Sequence, residues 1–280
     1  MEEKVQVIPK IIHYCWFGGN PIPEDLQECI DSWKQLEGYT LMRWDESNCT
    51  FDENEYIKKA YAEKKFAYIS DYYRLKALDE YGGIYLDTDA KVFKSFDPLL
   101  HHEVFFNFIY DCSVGLGVIG AQKGSKFIKA LLEMYDKTVF GKTANGKVIE
   151  YIDGKIVVNG FITNNYYCTY YILKNYPEFR LNNKYQDMGD FAIYPKELFE
   201  IGTLSKRHYV IHYSVGAWRV KKEQSATLKG KIKQAIQGFP KLYEVVQIIV
   251  RKIRYRKANK RIPFYPYSVA QKKGQPLPEL

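Results

Sequence analysis

The chain has 280 residues, 46% of them hydrophobic, so it can bury the core of one large domain, or of one domain with a tail. Its five cysteines are odd in number and include no C-x-x-C pair. This argues against a disulfide framework or a structural zinc site and favours a reducing, cytoplasmic setting. No apolar run has the length of a membrane-spanning helix, and the first residues lack the order of basic and apolar residues that is typical of a signal peptide.

The net charge of +8 is unevenly distributed along the chain. Residues 219–280 hold 16 basic and 3 acidic side chains, whereas residues 1–218 hold 25 basic and 30 acidic ones. A mildly acidic body with a strongly basic tail predicts that the tail has an anionic surface as its partner.

The predicted elements of the first third alternate between strands and helices. A β-rich apolar segment, residues 8–17, predicts a buried strand that ends at a Gly-Gly turn, where a nucleotide often lies against a sheet edge. A helix is predicted over residues 23–36, a second strand over 39–44 and a largely helical stretch over 54–81. This order predicts an α/β sheet with helices on its faces.

The helical stretch contains the pattern Ser70-Asp71-x-x-Arg74, which places Asp71 and Arg74 one turn apart on one helix face. Taken alone, this spacing favours an ordinary exposed ion pair. The alternative is a carboxylate and a guanidinium group that together grip hydroxyls and phosphate oxygens.

Two carboxylates end the short apolar run that follows Gly82-Gly83. In an extended strand the side chains at i and i+2 point the same way, so we expect Asp87 and Asp89 to face one point. Two bare carboxylates repel each other, so a cation is expected between them, and a hard divalent metal prefers carboxylate and phosphate oxygens. The alternative is a strand end with two solvated acids.

The rest of the body is predicted to continue the same architecture. An extension of the sheet edge, two strands, a helix and a hairpin are expected, in that order, over residues 91–93, 104–109, 115–121, 125–137 and 141–160. Residues 161–176 suit either a sugar-facing surface or a packed helix. A late strand is expected over residues 209–214, and His212 near its end is either a core histidine or a group at the mouth of a site.

The basic tail is predicted to contain an amphipathic helix after Pro240. Its apolar stripe consists of Leu242, Val245, Val246, Ile249 and Ile253. Basic residues crowd the end of this stripe, a pattern that predicts contact with an anionic bilayer. The alternatives are packing on the body and binding to nucleic acid. The final residues, which contain four prolines, are expected to be extended or disordered.

Four blocks carry a resemblance to a known family: Ile8-Pro9-Lys10-Ile11-Ile12-His13-x-x-Trp16, Ser70-Asp71-x-x-Arg74, Gly82-Gly83-Ile84-Tyr85-Leu86-Asp87-Thr88-Asp89 and His212-x-Ser214-x-x-x-Trp218. In this order they resemble the family 32 glycosyltransferases, the group of the yeast outer-chain mannosyltransferase and of bacterial capsular polysaccharide enzymes. The glucosyltransferase domains of large clostridial toxins are more distantly similar. The resemblance spans roughly residues 7–220.

The resemblance implies a GT-A fold, that is, an α/β structure with a Rossmann-like mixed sheet flanked by helices, here followed by the basic helical tail. Residues 1–220 would form the catalytic domain, and residues 221–280 the tail. Because the tail has no counterpart in the motif set, its assignment rests on charge and periodicity alone.

The resemblance also implies roles for single residues. Asp87, Asp89, Asp71 and Arg74 would form the catalytic centre, and Asp87, Asp89 and His212 would hold Mn²⁺ or Mg²⁺ against the diphosphate. The nucleotide-sugar donor would be bound by Ile12, His13, Trp16, Ser70, Tyr85, Ser214 and Trp218. In this chain Tyr213 stands between His212 and Ser214, and Trp218 is further from Ser214 than in the compact Ser-x-Trp ending.

The implied activity is metal-dependent transfer of a hexose from a nucleotide diphosphate sugar, with a UDP-sugar favoured over GDP-mannose and with retention of anomeric configuration. The acceptor would be a glycan, in particular a lipid-linked oligosaccharide of capsular or surface polysaccharide synthesis. The protein would lie in the cytoplasm, peripheral to the inner face of the membrane, with no nucleic acid as a partner.

Two other functions are compatible with these features. A sugar nucleotidyltransferase also uses an α/β sheet and a metal held by aspartate, and it would release pyrophosphate rather than a nucleoside diphosphate. A non-catalytic protein that binds an anionic membrane or nucleic acid through its tail would bind with a steep salt dependence, even without Asp87 and Asp89.

Overall fold

The computed structural model describes residues 5–144, 147–213 and 240–280. The strands are β1 (Ile11–Cys15), β2 (Thr40–Trp44), β3 (Gly83–Leu86), β4 (Ala90–Val92), β5 (Val104–Tyr110), β6 (Ser113–Ala121), β7 (Thr138–Phe140), β8 (Glu150–Ile152), β9 (Lys155–Val158), β10 (Gln186–Asp187), β11 (Ala192–Tyr194) and β12 (Val210–His212). The helices are α1 (Glu24–Trp33), α2 (Glu55–Ala62), α3 (Phe66–Tyr81), α4 (Lys126–Asp136), α5 (Asn164–Asn175), α6 (Lys196–Phe199), α7 (Pro240–Ala258) and α8 (Tyr265–Lys273). Short 3₁₀ helices span Asp97–Leu99 and Asn259–Arg261.

A mixed sheet of seven strands, in the order β10-β11-β5-β6-β3-β1-β2, forms the centre of the described structure. Strand β1 runs parallel to β2 and β3, and β11 runs parallel to β5. Strand β6 is antiparallel to both of its neighbours, β3 and β5. The predicted mixed sheet flanked by helices is confirmed.

The sheet divides the core into two layers, one on each of its faces, and successive side chains of β3 point alternately into the two layers. Ile84 and Leu86 pack with Trp33 of α1 and Phe199 of α6. Tyr85 faces the other layer, which holds α2, α3, α4 and α5. Because Asp87 follows Tyr85 by two residues, the end of β3 directs its carboxylate toward α3.

Two glycines allow the chain to pass directly from α3 into β3. Gly82 has φ +67°, and a Cβ atom there would lie 2.7 Å from the backbone nitrogen of Lys123. Gly83 has φ +110°, and a Cβ atom there would lie 2.6 Å from the carbonyl oxygen of Ile11. Any side chain would therefore be both strained and obstructed, which explains the Gly-Gly pair before the strand.

The prediction of a largely helical stretch over residues 54–81 is confirmed: it consists of two helices, α2 and α3, interrupted near Lys64, whose φ of +53° is left-handed. Two other sequence predictions are wrong in detail. Residues 91–93 do not extend the main sheet, because β4 pairs with β12 in a separate two-stranded sheet. The proline-containing end is not extended throughout: Pro266 lies within the first turn of α8, where proline costs a helix no hydrogen bond.

The C-terminal segment packs on the body. Ile262, Phe264 and Tyr267 are buried in the same core layer as α3 and α5. None of the described helices is both long enough and apolar enough to cross a bilayer. The predicted division near residue 220 stays a prediction, because residues 214–239 lie outside the described part of the chain.

Candidate active site

Asp87, Asp89 and His212 meet at the end of β3. Strand β3 stops at Leu86, and the chain then turns, with the amide of Ala90 donating to the carbonyl of Asp87 at 2.9 Å. Antiparallel pairing of β4 with β12 sets His212 opposite Ala90. One ligand atom from each of the three side chains lies within 4.8 Å of the others. The carboxylates therefore converge as expected, but through a turn rather than along an extended strand.

Gly117 of β6 leaves the space that this cluster occupies. A Cβ atom at this position would lie 2.8 Å from Oδ2 of Asp87 and 3.0 Å from Cε1 of His212. The carbonyl of Gly117 also accepts the amide hydrogen of Asp87 at 2.8 Å. A glycine in an otherwise buried strand here marks a close approach of functional side chains to the backbone.

His212 is held between three carboxylates. Its Nε2 lies 2.8 Å from Oδ1 of Asp89 and 3.5 Å from Oδ2 of Asp87, and its Nδ1 lies 2.9 Å from Oε2 of Glu200. Burial disfavours the imidazolium, but Glu200 and Asp89 outweigh it and hold the pKa of His212 well above its ordinary value. The protonated ring supplies positive charge where the two aspartates need it, and a cation bound at Nε2 would take the place of the proton there.

Arg74 supplies a second positive charge from the side of α3. Its guanidinium group lies 2.9 Å from Asp71 and 3.2 Å from Asp87, donates to the carbonyl of Leu116 at 2.6 Å and lies 4.4 Å from the ring centroid of Tyr85. The side chains of Arg74 and Asp71 are only 6% and 10% exposed. The interpretation as an ordinary exposed ion pair is therefore wrong, because this pair lies inside the core.

Asp71, Arg74, Asp87, Asp89 and His212 together form a charge network, and Asp71 connects it to helix α5. Its Oδ2 accepts the backbone amide hydrogen of Asn164, the first residue of α5, at 3.1 Å. Burial raises the pKa of Asp71 to about 6, although Arg74 and this amide favour the carboxylate. Asn165 accepts the amide hydrogen of Leu116 at 3.0 Å. The asparagines of the Tyr-rich stretch thus begin a packed helix whose first turn faces the charge network.

A pocket of about 830 Å³ contains this network. Asp71, Arg74, Asp87, Asp89 and His212 all contribute to its walls. Of the predicted donor-binding residues, three line it: Trp16, Ser70 and Tyr85. A volume of this size accommodates a nucleotide sugar, since small-molecule sites commonly measure about 300–1,000 Å³.

Part of the chain matches a described family. Residues 23–106 match "Glycosyltransferase sugar-binding region containing DXD motif", which is less than a third of the chain and includes Asp71, Arg74, Asp87 and Asp89. The predicted resemblance to the DXD-containing glycosyltransferases is confirmed.

Similar proteins come from yeasts. The chain is 32% identical over 140 residues to "Inositol phosphoceramide mannosyltransferase 3" of Schizosaccharomyces pombe, covering 48% of this chain and 38% of that protein. It is 34% identical over 128 residues to "Mannosyl phosphorylinositol ceramide synthase CSH1" of Saccharomyces cerevisiae, covering 43% and 33%. The chain therefore spans less than half the length of these relatives.

A solved structure titled "PaToxG Glycosyltransferase" is also similar. It is 22% identical, with a TM-score of 0.38, over 45% of this chain and 60% of that one.

Two of the predicted donor-binding residues, both in strand β1, have structural roles. Ile12 is fully buried in the core layer that contains α1. His13 is also fully buried, and it accepts the indole hydrogen of Trp44 at Nδ1 (3.1 Å) while its Nε2 lies 2.8 Å from the carbonyl of Gly82. Neither side chain lines the pocket: Ile12 is surrounded by apolar residues, and both ring nitrogens of His13 have protein partners. Their assignment to the donor therefore stays a prediction that these side chains do not support.

Ser214 and Trp218, the remaining predicted donor-binding residues, lie outside the described residues. The structure adds groups that the sequence patterns left unassigned. Glu200, Gly117 and Asn164 contact the charge network, and Arg254 and Tyr255 of α7 line the pocket. Only Gly117, a glycine within an apolar strand, carried a sequence signal that points to close packing.

Proposed function

We propose that this chain is a metal-dependent retaining glycosyltransferase that transfers a hexose from a nucleotide diphosphate sugar to a glycan or lipid-linked acceptor. The convergence of Asp87, Asp89 and His212 in a pocket of nucleotide-sugar size carries the proposal. The match of residues 23–106 to the DXD family supports it.

The donor set of the cluster suits a divalent cation. Two carboxylates and one imidazole favour Mn²⁺ over Mg²⁺, which prefers oxygen ligands alone. When bound, such an ion supplies positive charge where the departing diphosphate becomes more negative. Arg74 orients Asp87 from the opposite side, and Tyr85 donates to Oδ1 of Asp87 at 3.2 Å, so that the carboxylate keeps one orientation.

The carboxylates that line the described pocket, Asp71, Asp87 and Asp89, are each engaged by a cation. A carboxylate that is paired and hydrogen-bonded is a poor nucleophile, so we propose front-face attack by the acceptor rather than a covalent intermediate. Asp71 and the first turn of α5 would then orient sugar hydroxyls beside the reacting carbon.

The hexose and the acceptor are proposed from the relatives. The names of both yeast proteins contain mannose and a phosphoinositol ceramide. We therefore propose mannose as the transferred hexose and a phosphate-bearing lipid as the acceptor, in line with the expected lipid-linked acceptor. Preference for a UDP-sugar over GDP-mannose has no support among the described residues, and both belong in the test.

The exposed face of α7 favours a membrane-associated acceptor. Ile249, Val250 and Ile253 are 46%, 52% and 51% exposed, and Lys252, Arg256 and Lys257 are exposed beside them. Apolar side chains among basic ones suit an anionic bilayer surface. We therefore propose a peripheral position at the inner face of a membrane.

The first test is thermal unfolding with UDP-glucose, UDP-galactose and GDP-mannose, each with and without Mn²⁺. A ligand that binds only the native state raises the unfolding midpoint, so one donor is expected to do so only with metal. Asp89→Asn should abolish that rise and reduce transfer by at least about a hundredfold. Asp52→Asn, which removes an exposed carboxylate elsewhere, is the matched control.

Product analysis separates the alternatives. Transfer releases a nucleoside diphosphate, whereas a nucleotidyltransferase releases pyrophosphate. Wild-type turnover by Asp89→Asn, or release of pyrophosphate, would contradict the proposed function.

A further inference from the structure

The C-terminal segment forms one wall of the active-site pocket. Arg254, Tyr255, Ala258 and Ile262 line the same pocket as the cluster of Asp87, Asp89 and His212. The sequence patterns had assigned this segment to a separate tail, so none of its residues had a place in the site.

This wall is fixed to the body by buried polar contacts. Asn259 is only 6% exposed; its side-chain oxygen accepts the backbone amide hydrogen of Asp111 at 3.0 Å, and its side-chain nitrogen donates to Oδ2 of Asp111 at 2.6 Å. The hydroxyl of Tyr255 lies 3.4 Å from Oε2 of Glu200, the carboxylate that also contacts His212. The wall therefore has a defined position relative to the predicted metal ligands.

Arg254 provides an available positive charge in this pocket. Arg74 is buried and committed to Asp71, Asp87 and the carbonyl of Leu116. Arg254, by contrast, is exposed, and none of the carboxylates in the described ranges is within ion-pair distance of it. A guanidinium group free to form two parallel hydrogen bonds is well suited to a phosphate.

We propose that Arg254 binds a phosphate group of a substrate in this pocket. The inference rests on the proposed function, which supplies two possible phosphates: the diphosphate of the donor, or the phosphate of a lipid acceptor. Helix α7 exposes apolar and basic side chains on its outer face, and its residue Arg254 lines the pocket. The helix therefore connects the proposed membrane-binding surface to the site.

The test compares Arg254→Gln with Arg207→Gln in the full chain. Arg207, which precedes β12, is also exposed, and it lies outside both this pocket and helix α7. Both variants lose one charge, so nonspecific attraction to anions changes equally. The first arm measures binding of UDP and GDP with Mn²⁺, and the second measures binding to vesicles of phosphatidylcholine with and without phosphatidylinositol 4-phosphate.

Arg254→Gln is expected to weaken binding about tenfold or more in one arm, the loss typical of a charge-assisted hydrogen bond, whereas Arg207→Gln should bind close to wild type in both arms. Loss in the nucleotide arm assigns Arg254 to the donor, and loss in the lipid arm assigns it to the acceptor. Arg254→Lys should restore part of the affinity.

Wild-type affinity of both variants in both arms would overturn the inference but leave the proposed function intact. Equal losses in the two variants would also overturn it, because the effect would then belong to the net charge of the protein. Absence of any binding by the wild-type protein would overturn both the inference and the proposed function.

Discussion

Arg74 is the residue that permits the pocket to hold so much negative charge. Burial disfavours its guanidinium ion, yet Asp87 and Asp71 outweigh that effect and keep the pKa of Arg74 above its ordinary value. Burial raises the pKa of Asp87, and Arg74 opposes that rise. Removing one member of such a network leaves an uncompensated buried charge, which typically costs about 3–5 kcal/mol.

Glu200 is a positioning residue for His212, which we propose as a metal ligand. It is fully buried, and its Oε2 lies 2.9 Å from Nδ1 of His212, which leaves Nε2 directed at Asp89. A partner on the second ring nitrogen fixes the orientation of a ligating histidine. Glu200→Gln should therefore weaken Mn²⁺ binding about 10–100-fold.

Calorimetric titration of Mn²⁺ measures this effect directly. Glu178→Gln is the matched control, because it removes an exposed carboxylate outside the pocket. An unchanged Mn²⁺ affinity in Glu200→Gln, with a normal unfolding midpoint, would remove Glu200 from the metal site.

At the level of elements, His13 joins three segments that position the site. It lies on β1, accepts a hydrogen bond from Trp44 at the end of β2, and contacts the carbonyl of Gly82 between α3 and β3. Burial lowers the pKa of His13 from 6.5 to about 4, with the hydrogen bond to Gly82 opposing that shift. The neutral ring is therefore the form that holds these elements together.

This shift predicts a pH dependence of stability. Between pH 6.5 and about pH 4 the unfolded chain binds a proton at His13 that the folded chain does not, so stability falls as pH falls through that window. The contribution is about 3 kcal/mol. Denaturant unfolding at a series of pH values should show a steeper loss in wild type than in His13→Gln; equal slopes would contradict the assignment.

For the whole molecule, the tail is both a part of the core and a candidate membrane surface. Ile262, Phe264 and Tyr267 are buried, each contributing about 1.5–3 kcal/mol. Deletion of residues 221–280 would therefore destabilise the body and is not a clean test of membrane contact, since total stabilities are only about 5–15 kcal/mol.

Substitution of the exposed apolar side chains is the sharper test. The combined change Ile249→Ser, Val250→Ser and Ile253→Ser should reduce partitioning into phosphatidylserine-containing vesicles about tenfold or more. The reason is that these three half-exposed side chains supply apolar surface that the bilayer would bury. Sedimentation with vesicles measures it. Ile152→Ser with Leu204→Ser, two exposed apolar residues elsewhere, should leave partitioning unchanged.

The sequence indicated the α/β order of elements because hydrophobic periodicity is a local property. It also placed Asp71, Arg74, Asp87 and Asp89 in one site through the resemblance of their motifs. It did not reveal the structural contacts of His13, because a buried histidine with two partners has the same sequence signature as a ligand-binding one. Local pattern also gave no hint that Asp71 and Arg74 are buried.

What the sequence by itself determined was the type of fold and the side chains that carry charge near the end of β3. Only the tertiary structure decided which distant residues join them: Glu200 behind His212, Asn164 beside Asp71, and Arg254 from a segment that composition alone describes as a basic tail. The physical reason is that these contacts depend on strand pairing and on packing between separate segments, which for Asn164 and Asp71 lie 93 residues apart. Neither leaves a periodic trace in the residues themselves.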